Sequence, residues 1–429
     1  MTDFENNREK KKIWKFNKGE WTEAYVFLRL LGDGRIYGAS ADLIKDELTY
    51  IDIINIIRDE PDKCLIFERF VKDEIAYVQS SKGDGNLKII TAPEMTEKAT
   101  FLYEQIKKIT TDKDGIMVPE IQEYLEELSI DSPKANLSKK AKEKYGAKTD
   151  IIVTTEDSFD HVRTICGFSI KSHIGSPPTL FNCSESSGFV YKIIGCNVDG
   201  MQRLNYKDSF LEIISTIKEE YSLEYVGCRN EIFEQNIRVV DSRMDEILQN
   251  AILMQVRYIE GLHSSQISEV CKALAVLNPI GVRNAEVFYE AKLKAFLFAS
   301  FAGMTASEEW SGRKMLTGGY IDVDREGELL YYRAISDDIF ENYLFRHTYV
   351  DRPDRGYKKD LAVAEAKACI DEKRSLTDEE IFWIEHSKKI DKKTKEEKIV
   401  KNAKKGDFGY IYQDGDDFYI VINFQVRFR

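Results

Sequence analysis

Residues 146–172 read GAKTDIIVTTEDSFDHVRTICGFSIKS, and this stretch decides how the whole chain is interpreted. Two β-type runs, Thr149–Thr154 and Val162–Ser172, flank the polar segment EDSFD. Runs of this length around a short polar turn are typical of two antiparallel strands. The sequence therefore predicts a β-hairpin here.

The expected register of this hairpin brings opposite charges together. If the turn is centred near Asp160 and His161, Asp150 lies directly opposite Lys171 across the two strands. Strand alternation puts Ser169 on the same polar face as Lys171. Such a face suits phosphodiester hydrolysis, in which a carboxylate holds Mg²⁺ and a lysine orients water and offsets developing charge. The alternative to a catalytic site is a surface ion pair between Asp150 and Lys171 that stabilises the fold by at most about 1 kcal/mol.

A helix is predicted before the hairpin, from about Gly19 to Leu31, with Glu20 and Glu23 one turn apart beside its apolar stripe. Short β-type runs dominate from there to Ala92. Helical patterns follow, and the last of them, LSKKAKEKYGAK, is basic and leads into the hairpin.

The bulk composition indicates a folded globular protein. The 429 residues are 43% hydrophobic and 32% charged, which excludes a disordered or fibrous chain. No run of eighteen apolar residues occurs, and the first residues are polar, so we expect a cytoplasmic protein that binds no membrane. The net charge of -12 argues mildly against a non-specific nucleic-acid coat and leaves room for a local basic cleft.

Five segments together resemble the HpaII-type restriction endonucleases, type II enzymes of the PD-(D/E)xK nuclease superfamily. These are KGEWTEAYVFLRLL (18–31), TDIIV (149–153), GFSIKSHIGSPPTLFN (167–182), GFVYKI (188–193) and the terminal YIVINFQVRF. The resemblance implies that Asp150 binds the metal and that Lys171 is the catalytic lysine. We expect the Ile170 carbonyl to complete the metal shell. Ser169 departs from the pattern, because the superfamily usually has Glu or Asp there.

The missing carboxylate at Ser169 has to come from elsewhere. Glu20 or Glu23 resembles the N-terminal helix glutamate that many superfamily members direct at the metal. Glu185 resembles the displaced glutamate of S-x-K restriction enzymes that cut sites with a CCGG core, although it precedes a strand here. The alternative for Glu185 is an exposed loop acid.

Candidate DNA contacts are spread along the chain. His173, just after the lysine, could meet a phosphate, or be a structural residue beside its turn. The segment Arg346–Lys359 mixes Arg with Tyr and turn residues and suits base reading in the major groove, and the alternative is a solvated loop. The residues singled out for DNA binding are His173, Gln202, Arg203, Arg346, Arg352 and Arg355, with Gln202 and Arg203 expected in a loop.

The predicted fold is α+β, with a restriction-endonuclease-like mixed β-sheet core flanked by helices. We expect the N-terminal core helix in 1–34, a β-rich then helical lobe in 35–135, and the catalytic and DNA-recognition core in 136–357. A charged helical insert follows in 358–405, and a C-terminal β-hairpin in 406–429 returns to the core. Nine of the eighteen residues 388–405 are Lys, which indicates a solvated insert or an arm that binds the DNA backbone.

The sequence thus predicts a Mg²⁺-dependent type II restriction endonuclease that cuts both strands of a short duplex site and leaves 5′-phosphate ends. Cutting a palindrome favours a homodimer on DNA, and restriction implies a cognate DNA methyltransferase as genetic partner. Two alternatives stay open, a DNA-binding protein that does not cut and a nuclease for repair or junctions.

Overall fold

The structure is a computed structural model. It describes residues 13–72, 75–82, 87–109, 115–175, 177–182, 184, 186–205, 207, 209–312, 317–334, 338–351, 388–390, 397–399 and 409–429.

The helices and strands alternate irregularly along the chain. From the N-terminus they are α1 (Lys18–Asp33), β1 (Arg35–Ala39), β2 (Lys45–Asp59), β3 (Cys64–Lys72), β4 (Ile75–Lys82), β5 (Leu87–Thr91), α2 (Ala92–Lys108), α3 (Pro119–Glu127), α4 (Lys139–Tyr145), β6 (Ile151–Asp157), β7 (Arg163–Ser172), β8 (Thr179–Phe181) and β9 (Gly188–Ile194). Then come α5 (Val198–Asn205), α6 (Phe210–Glu220), β10 (Ser222–Cys228), α7 (Glu231–Val240), α8 (Met244–Gln255), α9 (Ile267–Leu277), α10 (Ala285–Phe301), β11 (Gly319–Val323), β12 (Leu329–Arg333), α11 (Asp338–His347), β13 (Thr348–Asp351), β14 (Lys388–Ile390), β15 (Glu397–Ile399), β16 (Ile411–Asp414), β17 (Asp417–Asn423) and β18 (Gln425–Phe428).

The chain forms two compact units. The first comprises Met1–Pro178, Phe301–Gly303 and Arg313–Arg346, and the second comprises Thr179–Ser300, Met304–Gly312 and His347–Arg429. The hairpin of β6 and β7 belongs to the first unit. None of the described helices is long and apolar enough to cross a membrane.

The first unit is built on a nine-stranded sheet in the order β1-β12-β11-β7-β6-β2-β3-β4-β5. β1 also pairs with β2, so that the six strands β1, β12, β11, β7, β6 and β2 close into a ring. β2 can take part in both pairings because it has fifteen residues and its register shifts along its length. Apolar residues of these strands, α1, α2 and α3 form one continuous core.

The second unit holds a four-stranded antiparallel sheet, β10-β9-β17-β16, and a three-stranded one, β13-β18-β8. Helices α5 to α10 accompany them. An aromatic cluster lies in the core of this unit, where Phe181 is within 6.2 Å of the rings of Phe233, Phe296 and Phe424. The C-terminal β-hairpin predicted in 406–429 is confirmed by β16 and β17, which pair antiparallel on either side of Gly415.

The α+β class and most elements match the sequence predictions, but the β-rich lobe does not stand apart. Strands β1 to β5 pair through β2 with β6, so the stretch expected as a separate lobe is part of the sheet that carries the hairpin. Within the expected helical insert 358–405, the described residues form the short pair β14 and β15 rather than helix. The rest of that insert lies outside the described residues.

Backbone packs closely around Gly319, where β11 runs between β7 and β12. A Cβ at this position would lie 1.9 Å from the Tyr332 carbonyl oxygen. The clash is with backbone, which cannot move aside as a flexible side chain can.

We therefore expect Gly319→Ala to lower the free energy of unfolding by about 2 to 3 kcal/mol, because the two strands must separate locally. Urea unfolding followed by circular dichroism measures the change. Gly19→Ala in α1 is the control, since its Cβ would come no closer than 3.2 Å to the Asn17 side chain. The free energy of unfolding of Gly19→Ala should stay within about 1 kcal/mol of that of the wild type.

Candidate active site

Asp150 immediately precedes β6, and its carboxylate is held by the neighbouring strand. Its Oδ2 atom accepts hydrogen bonds from the Ile170 backbone N–H at 2.7 Å and from the Ser169 hydroxyl at 3.1 Å. Its own N–H donates to the Phe168 carbonyl at 2.8 Å. Oδ1 accepts no hydrogen bond from any described residue. One carboxylate oxygen is thus fixed by the protein and the other remains available to a ligand.

The hairpin is confirmed, but its expected register is wrong by two residues. Ile151 pairs with Phe168, and Glu156 pairs with Arg163, so Asp150 lies opposite Ser169 rather than Lys171. The turn is centred one residue earlier than expected. Because side chains alternate with a period of two, this shift leaves Lys171 on the same face as Asp150. Both residues are described, and no ion pair joins them.

Ser169 has a structural role beside Asp150. It is buried, with 4% of its surface exposed, and its hydroxyl donates to Asp150. A carboxylate here would place a second negative charge directly against Asp150. Serine instead supplies a donor that orients the first carboxylate.

Helix α1 brings Glu23 to the site and uses Glu20 for its own stability. Asn17 and Glu20 form a capping box with reciprocal hydrogen bonds of 2.9 Å, and Glu20 also accepts a hydrogen bond from the Lys134 ammonium at 2.5 Å. Glu20 is therefore occupied at the helix start. Glu23 is one turn further on, partly buried, and close enough to Asp150 for the two charges to interact.

The environment of Glu23 disfavours its charged form. Burial, and then the negative charge of Asp150, raise the pKa of the Glu23 carboxyl from 4.5 to about 8, against the opposing effects of Lys134, Arg58 and Lys171. Two carboxylates that repel each other in a partly desolvated place form a site that a cation would stabilise.

Two lysines lie near these carboxylates. Lys171 on β7 is partly buried, and its charge acts on both Glu23 and Lys148. Burial, and then the charge of Lys171, lower the pKa of Lys148 to about 8, while Asp150 opposes the change. Sequence reasoning missed Lys148. Its position two residues before Asp150 was the available signal.

A buried polar network borders the site beyond Lys171. The His173 Nε2 atom lies 3.0 Å from Oδ1 of Asp322, which is 1% exposed. The hydroxyls of Tyr320 and Tyr343 also donate to that oxygen, each at 3.0 Å. Asp322 is the parallel partner of Lys171 on β11. The network holds the end of β7, and it had no signal in the sequence because its members are far apart along the chain.

The other described candidates for DNA contacts are on helices α11 and α5. Arg346 is in the last turn of α11 rather than in a loop, and it pairs with Asp42 at 2.8 Å. Gln202 and Arg203 are on helix α5 of the second unit, not in a loop, and Arg203 pairs with Glu220. The remaining three candidates, Glu185, Arg352 and Arg355, lie outside the described residues.

Within the described part of the chain, no three His, Cys, Asp or Glu side chains gather as a metal cage. The acidic donors that the structure brings together at the hairpin are Asp150 and Glu23. This arrangement fits Mg²⁺, which binds through one or two carboxylates, several waters and the phosphates of its substrate.

Comparisons with known proteins identify the family of this chain. The sequence profile of the HpaII restriction endonuclease family matches residues 17–360. The chain belongs to the HpaII restriction endonuclease family. It is 29% identical over 422 residues to the type II restriction enzyme HpaII of Haemophilus parainfluenzae, covering 96% of this chain and 98% of that protein. No solved structure matches. The chain is thus a type II site-specific deoxyribonuclease, a class of enzymes that in general uses a divalent metal.

The raised pKa of Glu23 predicts how stability depends on pH. Without metal, the stability that protonated Glu23 contributes is complete below about pH 4.5 and is lost as pH rises through about 8. We expect Glu23→Gln in EDTA to unfold with a free energy about 2 kcal/mol higher than wild type near pH 9, and to differ little near pH 4. Urea titrations across this range test it. An equal difference at both ends of the range would contradict the assigned environment.

Proposed function

We propose that this enzyme is a Mg²⁺-dependent endonuclease that cuts both strands of a short duplex site and leaves 5′-phosphate ends. The observation that carries the proposal is the approach of Asp150 and Glu23, from a strand and a helix far apart in sequence, beside Lys171. Two carboxylates and one lysine are the groups that metal-assisted phosphodiester hydrolysis requires.

In this proposal Asp150 and Glu23 hold the metal, and the Ile170 carbonyl is a further ligand. The fit rests on their chemistry: all three donors are oxygens, which Mg²⁺ prefers, and the mutual repulsion of the two carboxylates is relieved by a divalent cation. When bound, the metal supplies charge neutralisation at the scissile phosphate and lowers the pKa of water. Glu23 then takes the place of the acid that is absent at Ser169.

The protein residues have separate tasks. Ser169 and the Ile170 N–H keep Asp150 in one orientation, so that little reorganisation is needed when substrate arrives. Lys171, on the same face, orients the attacking water and stabilises the negative charge that develops on the phosphate. Asp322 fixes the orientation of His173, which we propose as a phosphate contact.

Candidate recognition residues are found in each of the two units. Arg346, Gln202 and Arg203, together with Arg352 and Arg355, stay candidates for reading bases or phosphates. The family resemblance points to a site that contains CCGG, to a homodimer on DNA and to a methyltransferase as genetic partner. Membership in a family of restriction enzymes favours this function over a DNA-binding protein that does not cut and over a repair nuclease.

Substitutions at the hairpin test the catalytic assignment. We expect Lys171→Ala, Asp150→Asn and Glu23→Gln each to lower the cleavage rate by about 10³-fold, because each removes a charge used in the transition state. Digestion of a sequenced unmethylated plasmid with Mg²⁺, followed by mapping of the product ends, measures rate, site and end chemistry together.

Glu20→Ala is the matched control on the same helix. It removes the capping box and should lower the free energy of unfolding by about 1 kcal/mol while cleavage continues. Cleavage by Lys171→Ala at the wild-type rate would remove the lysine from the mechanism. Loss of cleavage in Glu20→Ala but not in Glu23→Gln would exchange the roles of the two glutamates.

A further inference from the structure

Helix α4 carries an exposed group of lysines that the catalytic assignment does not use. Its sequence is KKAKEKY, and Lys139, Lys140, Lys142 and Lys144 are all exposed. We call these four residues the lysine surface. Among the described residues, one ion pair involves them, Lys139 with Glu143 at 3.8 Å, in which both side chains are mostly in solvent. The charges of the other three are not compensated by a carboxylate of the described chain.

Two of these lysines act against the stability of their own helix, whereas Lys142 and Lys144 are in its last turn, where positive charge is favourable. Lys139 and Lys140 are in the first turn, which contains no acidic residue, so they face the positive end of the helix dipole. Lys140 and Lys144 are like charges four residues apart. Helix α2 shows the ordinary first turn, which contains Glu94; its last turn contains two lysines, 107 and 108, as that of α4 does. A local rule that is broken without a structural gain indicates a function.

The helix is nevertheless firmly held. The Ser138 hydroxyl caps it by accepting from the Ala141 N–H at 3.1 Å, and the Ser138 N–H donates to the Asp59 carbonyl at 2.7 Å. Ala141 and Tyr145 are buried against Ile152 of β6. This packing leaves the lysines on the solvent side.

The lysine surface is rigidly connected to the metal-binding carboxylate. The Thr149 hydroxyl donates to the Tyr145 carbonyl at 3.1 Å, and the Thr149 N–H donates to the Gly146 carbonyl at 3.1 Å. Asp150 is the next residue. Tyr145 and Asp150 are five positions apart, so even a fully extended chain could span only about 17 Å. Helix α4 adds about 9 Å from Tyr145 to Lys139. The backbone of the lysine surface therefore lies within one helical turn, about 34 Å, of a DNA duplex bound at Asp150.

We propose that the lysine surface binds the phosphate backbone of duplex DNA beside the scissile phosphate and sets the position of that phosphate over Asp150. The inference rests on the proposed function and adds the surface that positions its substrate. Duplex DNA is the partner that fits, because its phosphates are regularly spaced and the charge of the whole protein, -12, would otherwise repel it. Phosphate contacts of this kind fix register without reading sequence.

The test is the salt dependence of DNA binding by the full chain. The probe is a duplex of about 30 base pairs and arbitrary sequence, bound in EDTA between about 50 and 200 mM salt. Replacing all four lysines with Gln should reduce the slope of log K against log salt by about 3.6, since each phosphate contact contributes about 0.9. Replacing all four with Arg should preserve the slope, and Lys107→Gln with Lys108→Gln, on α2, should leave it unchanged.

Each outcome is decisive. A four-Gln variant that unfolds at the wild-type temperature and binds with the wild-type slope would falsify the lysine surface as a DNA contact. If wild-type protein cuts plasmid DNA in that case, the proposed function stands and this inference alone fails. If wild-type protein neither binds nor cuts DNA, both fail. A loss of slope in the α2 variant equal to that in the α4 variant would show a general charge effect and would also overturn the inference.

Discussion

The hydrogen bond from the Ile170 N–H to the Asp150 carboxylate is 2.7 Å long and joins the residue before β6 to strand β7. It exists because Asp150 comes one residue before the strand, where its side chain can turn toward the backbone of β7. Ser169 adds the second donor. A carboxylate fixed in this way can present its other oxygen in one direction only, which is the preorganisation that an electrostatic active site needs.

Helix α1 supplies the second carboxylate of the site, that of Glu23. Glu23 is partly desolvated and near a like charge, an arrangement that destabilises the metal-free protein at neutral and higher pH. Burial of the apolar side of α1 against the core compensates for this cost, since nine residues of the helix are buried. The capping box at Asn17 and Glu20 fixes where the helix begins, and therefore which residue faces Asp150.

The same division of roles shows how a hairpin with serine at position 169 is still accompanied by a second carboxylate. Glu20 and Glu23 are only three residues apart, and both are acids beside the same apolar stripe, so the sequence could not separate them. One is used in the cap and in a contact with Lys134, and the other is directed at Asp150. That choice depends on the orientation of the helix against the sheet.

The sequence alone determined the hairpin, helix α1, most strands, and the family through GFSIKS and its neighbours. It could do so because alternation, helical periodicity and turn residues are local properties of the chain. The tertiary structure alone decided the register opposite Asp150, the inclusion of β1 to β5 in one sheet, the approach of Glu23 and Lys148, and the buried network around Asp322. These features depend on contacts between residues far apart in sequence, and a shift of one residue in a turn moves a cross-strand partner by two.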